Sequence, residues 1–129
     1  MISLHACDIA TDLALGTAIR AKAKYIACVP CCHKELLDQY TMPGLEPLTK
    51  FGVFKARFND VLTDSMRALK LEAEGYKVSV VEYISPLDTP KNLLIRATRT
   101  GKVNNRAKAE YDAVRRTLGT TSELDRRCA

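Results

Sequence analysis

The chain has no run of about 18 apolar residues, so no membrane-spanning helix is expected. Its start lacks a basic region followed by a long apolar stretch, so no signal peptide is expected either. It lacks an even number of cysteines: there are five, and Cys31 and Cys32 are adjacent. That disfavours a secreted disulfide framework and points to free thiols in the cytoplasm. No G-x-G occurs among the six glycines, so the glycine-rich phosphate cradle of dinucleotide-binding folds has no counterpart. Internal repeats and low-complexity segments are missing as well.

What is present fits one soluble domain over residues 1–129. Hydrophobic residues make up 47% and charged residues 27%, enough for one ordinary core. The net charge of +5 is uneven. Residues 91–129 hold ten Lys/Arg against four Asp/Glu, whereas residues 1–90 hold ten against eleven. A basic end of this kind suits either a solvated helix face or a phosphate backbone, so RNA is one candidate partner.

Periodicity predicts the elements in turn. Ile2–Cys7 reads as a strand, and Asp8, Thr11 and Asp12 offer cap chemistry for a helix running to about Lys22. Residues 24–29 are continuously apolar, as in a strand buried on both faces, and Pro30 should end it. A short helical stretch is expected around His33–Tyr40, then an irregular insertion over 41–56. Asn59 or Asp60 should cap a helix with Leu62, Met66, Leu69 and Ala73 on one face, stopped by Gly75. Asp60, Asp64 and Arg67 on that helix read as pairs on a solvated face. Residues 76–84 and 92–98 read as strands able to pair antiparallel. A final helix from about Asn104 to Leu118 carries Ala107, Tyr111, Val114 and Leu118 on one stripe, and the last ten residues should fray. Alternating strands and helices predict an α/β fold.

In open α/β sheets, ligands bind outside the carboxyl ends of the strands. The first strand ends at His5-Ala6-Cys7-Asp8 and the second at Pro30-Cys31-Cys32-His33. Neighbouring strands would gather these thiols and imidazoles on one rim. Three chemistries fit. Zinc could use His5, Cys7, Cys31, Cys32 and His33 by type, although their spacing matches no known module. A thiolate beside a helix start (Cys7) or a histidine (Cys32) could act as a nucleophile. The thiols could also be small packing residues. Asp8 is suited to orient an amine or hydroxyl, or simply to cap its helix. Lys91 and Asn92 in "TPKN" could meet an anion or fix the turn.

Three blocks, "LHACDIATD", "AKYIACVPCCHKEL" and "RFNDVLTDSMRALKLEAEGYKVSVVEYISPLDTPKNLLIRA", carry a resemblance. Together they resemble a class I S-adenosylmethionine-dependent methyltransferase family with H-x-C-D-x-A-T-D, V-P-C-C and T-P-K-N motifs. The resemblance covers residues 2–98 and matches the family's C-terminal half. It implies part of a Rossmann-like sheet, mostly parallel with an antiparallel last strand and helices on both faces. It implies S-adenosylmethionine as cofactor and no resident metal. It places Asp8, His5 and Cys7 at the chemistry, and His5, Ala6, Cys7, Pro30 and Cys31 at the cofactor. Cys32, His33, Lys91 and Asn92 fall on the substrate side. The glycine-rich half would be absent, leaving the first strand's edge open to a second copy or to a missing N-terminal half. The alternatives are a non-catalytic binding or assembly module and a small zinc protein.

Overall fold

The computed structural model describes residues 2–32, 35–82, 93–102 and 104–127, with the backbone alone at 2–9, 31–32, 123 and 127. The elements are β1 (Ile2–Cys7), α1 (Asp8–Arg20), β2 (Tyr25–Cys32), α2 (Glu46–Thr49), α3 (Gly52–Ala73), β3 (Tyr76–Glu82), β4 (Leu93–Arg99), α4 (Asn105–Leu118) and α5 (Glu123–Arg127).

The strands form one sheet in the order β1-β2-β4-β3. Among the described residues only β1–β2 is a parallel ladder; β2–β4 and β3–β4 are antiparallel. The mostly parallel Rossmann-like sheet expected from the sequence is therefore corrected. The last strand does not sit at an edge. It inserts between β2 and β3, so both ladders it makes are antiparallel and no parallel pairing of β2 with β3 forms.

Helices on both faces are corrected too, among the described residues. Ile26, Cys28, Tyr76, Ile95 and Ala97 form one core with Leu15 and Ala18 of α1, Leu71 of α3 and Leu124 of α5. The alternate positions Lys77, Ser79, Arg96 and Thr98 are exposed. Period-2 alternation puts these polar residues on the opposite face, which offers little for a helix to bury. A second cluster of Tyr40, Met66, Tyr111 and Leu118 packs α4 against α3.

Local chemistry explains the element ends. Pro30 lies inside β2 rather than after it. The described β2–β4 ladder stops at Cys28, so beyond it that side of β2 needs no donor and Pro is tolerated. α3 begins at Gly52, seven residues before the expected caps, and Lys55 N already donates to Phe51 O at 3.0 Å. Asn59 is thus a buried mid-helix residue rather than a cap. Residues 35–39 form hydrogen-bonded turns, not a helix. Gly75 stops α3 as expected, with φ 92°. Asn104 caps α4 by accepting from Ala107 N at 3.0 Å. Val114, expected on the buried stripe of α4, is exposed. The end of the chain is not frayed through Arg127: α5 forms and Leu124 is only 1% exposed.

Candidate functional site

β1 passes into α1 with no intervening loop, so Asp8 follows Cys7 directly as the first residue of the helix. The parallel β1–β2 pairing lays the carboxyl end of β1 beside that of β2. Cys7 is the register partner of Cys32, and Ala6 that of Pro30. The register slips twice here. It steps from Leu4↔Val29 to Ala6↔Pro30 and then to Cys7↔Cys32, so His5 is the extra residue on β1 and Cys31 the extra residue on β2. Irregular pairing of this kind bends strands and re-aims residues at barrel rims and next to active sites. The backbone therefore brings together His5, Ala6, Cys7, Asp8, Pro30, Cys31 and Cys32. Pro30 is fully buried. His33, Lys91 and Asn92 lie outside the described residues, as do the side chains of His5, Ala6, Cys7, Asp8, Cys31 and Cys32. The zinc and nucleophile readings rest on those side chains.

Beneath this rim is an ion-pair network that the sequence pattern places at the surface. Arg67 of α3 donates from Nε to Asp12 Oδ1 at 2.8 Å and from Nη1 to Asp64 Oδ1 at 3.2 Å. All three residues are buried, which corrects the solvated face expected for Asp64 and Arg67. Burial alone would weaken the guanidinium's hold on its proton. Asp12, by charge and hydrogen bond, and Asp64 outweigh that and push its pKa up. Asp12 lies one helical turn beyond Asp8, so the network fixes the start of α1 relative to α3. The signal was present in the sequence: Asp12 stands three residues before Leu15, on the buried face of α1.

Cys28 is a packing thiol. Burial pushes its pKa up to about 12 against the opposing Arg67, so it holds its proton and is a poor nucleophile or metal ligand. Among the described residues, no group of three His, Cys, Asp or Glu side chains could hold a metal.

Comparison with known proteins bears on this same segment. Residues 1–39 match a methyltransferase domain. That stretch contains β1, α1 and β2 entire, and with them the rim. The match supports a methyltransferase and leaves its class open. The chain is also similar to the glutathione S-transferase C-terminal domain-containing protein of Homo sapiens, at 28% identity over 73% of this chain and 19% of the relative. The Mus musculus protein of the same name gives the same figures. The Drosophila melanogaster homolog is 28% identical over 72% of this chain and 21% of its own length. The chain spans about a fifth of the length of the curated relatives it matches. No solved structure matches it.

Proposed function

We propose that this chain carries the acceptor-side part of a methyltransferase that draws its methyl group from S-adenosylmethionine. The observation that supports this best is the convergence of the β1 and β2 carboxyl ends inside the stretch that matches a methyltransferase domain. The donor set is chemically suited to the role: a carboxylate, an imidazole, small residues and a buried proline on adjoining strand ends. When bound, the cofactor supplies an electrophilic methyl on a sulfonium sulfur.

The chain's own part is positioning and proton handling. Ala6, Cys7, Pro30 and Cys31 would face the cofactor beside His5. Asp8 and His5 would orient the acceptor and take its proton. Cys32, His33, Lys91 and Asn92 would meet the rest of the substrate. RNA is the acceptor class we propose, because of the positive charge of residues 91–129. Arg106, Arg115 and Arg126 already lie against Glu110, Asp112 and Glu35. Exposed Lys102, Lys108 and Arg116 are among the cations left for phosphates.

The test is calorimetric titration of S-adenosylhomocysteine into the purified chain, with His5→Ala alongside. Saturable binding near one site per chain, weakened about tenfold in the variant, is expected. Absence of binding, or binding indifferent to His5, would defeat the proposal and favour a non-catalytic module. Cys7→Ser and Cys32→Ser then decide whether a cysteine adduct is involved: activity in both variants removes it.

A further inference from the structure

α3 is buried along one face, polar and apolar residues together, and exposes apolar side chains along the other. Its inner face carries Thr63, Met66, Arg67, Leu71 and Ala73, all buried. Its outer face carries Phe54, Phe58 and Val61 at helical spacing, continued by Phe51 just before the helix; these are exposed at 54%, 37%, 63% and 55%. Phe51 and Phe54 sit edge to face, 6.0 Å between centroids. Beyond Val61 the same stripe turns small, with Ser65 and Ala68. There it floors a mainly apolar groove of about 480 Å³, walled by Leu69, Val80 and Leu93. A contiguous exposed apolar patch continued by an apolar groove marks an interaction site.

The two halves of this face complement each other. The first half is bulky and bears Lys50 and the exposed Arg57. The second half is concave and lined by Asp64 and Glu72. Asp64 is held by Arg67, whereas Glu72 makes no ion pair among the described residues. Knobs and cations at one end, and a groove with the Glu72 carboxylate at the other, form a self-complementary surface.

We propose that the occupant of this face is the α3 of a second copy, antiparallel about a twofold axis at Val61. Helical spacing then fixes the contacts. Phe54 of each copy lies opposite Ala68 of the other and enters the groove. Lys50 lies opposite Glu72, and the two Val61 residues meet on the axis. Exposed Leu45 and Leu48 beside α3 extend the apolar surface at each end. The interface is separate from the open edge of β1.

The experiment is the molar mass of the full chain by light scattering across a concentration series, with exposed-site variants that leave the monomer's core untouched. Wild type should approach twice 14.3 kDa, and Phe54→Glu should stay a monomer. Lys50→Glu and Glu72→Lys should each weaken dimerisation about tenfold, since every change acts twice across the axis. The double exchange Lys50→Glu with Glu72→Lys should restore it, which a change in folding alone would not do. Three results would overturn the proposal: a wild-type monomer throughout, a dimer indifferent to Phe54→Glu, or no rescue by the double exchange. A wild-type monomer that instead binds anionic vesicles or single-stranded RNA through Phe54 would assign the face to that occupant.

Discussion

Arg67 donates its Nε–H to Asp12 Oδ1 across 2.8 Å, with both side chains almost fully buried. This bond joins the helix that starts at the strand-end rim to the longest helix of the fold. Its removal should be costly, because each remaining carboxylate would be left in the interior without its cation. Arg67→Met should lower the unfolding free energy by about 3–5 kcal/mol. Combining it with Asp12→Leu should cost less than the sum of the two, since no orphaned charge then remains at α1. Urea titration of the four proteins of that cycle tests both statements.

Cys28 gives the protein an alkaline liability. Its thiol is neutral when protonated, and burial raises its pKa from 9.0 to about 12. The folded state therefore holds a proton that the unfolded state has released between these values. The stabilisation is fully present below pH 9 and is lost as pH rises toward 12, with a slope of at most about 1.4 kcal/mol per pH unit. Burial raises the pKa of Tyr40, Tyr76 and Tyr111 as well, which acts in the same sense. The cysteine's share is thus the difference in slope between wild type and Cys28→Ala, measured by urea unfolding from mildly alkaline pH upward.

The Tyr111 hydroxyl donates to Asp125, which also accepts from Ser122 N at 2.8 Å. This pair fastens the short α5 to α4. Tyr111→Phe keeps the packing and removes the donor, so it should cost about 1–3 kcal/mol. Hydrogen exchange should show the loss concentrated at residues 122–127. Uniform loss across the sheet would contradict that local role.

Local patterns in the sequence identify most elements, because they answer to local chemistry. Ile2–Cys7 is the expected strand, Gly75 the expected stop and Asn104 a working cap. What is not legible depends on partners distant in the chain. The insertion of β4 between β2 and β3 is a choice of neighbour that no strand's own pattern states. Arg67 reads as a surface residue until Asp12, 55 positions away, is placed against it. α3 starts at Gly52 although propensity favours a start at Asn59, because its first turns lie against α2 and Tyr40, whose hydroxyl donates to Lys55 O at 2.5 Å. The rim is legible as a neighbourhood of strand ends. The extra residues at His5 and Cys31 are not, since register irregularities belong to the pair of strands and not to either alone.

Gly75 and Gly101 allow a paired test of backbone strain. Both have positive φ, at 92° and 77°. A Cβ on Gly75 would come within 2.8 Å of the Lys102 carbonyl oxygen, while one on Gly101 meets nothing within 4 Å. Gly101→Ala should cost about 1 kcal/mol for the left-handed backbone alone. Gly75→Ala should cost more, because the backbone of 100–102 must also move. Equal losses in thermal unfolding would show that the close approach to Lys102 is not a constraint.

Thr63 points to a change that should strengthen the fold. Its hydroxyl is buried on the inner face of α3 and has no hydrogen-bond partner among the described residues. An unsatisfied hydroxyl keeps its desolvation cost and returns nothing. Valine matches its shape and removes that cost, although a β-branched residue in a helix brings no gain in propensity. Thr63→Val should therefore raise the unfolding free energy by about 1 kcal/mol, seen as a higher urea midpoint at unchanged slope. Loss of stability in this variant would mean that the hydroxyl serves the neighbouring Asp12–Arg67–Asp64 network through a water. In an Arg67→Met background, the effect of Thr63→Val should then vanish.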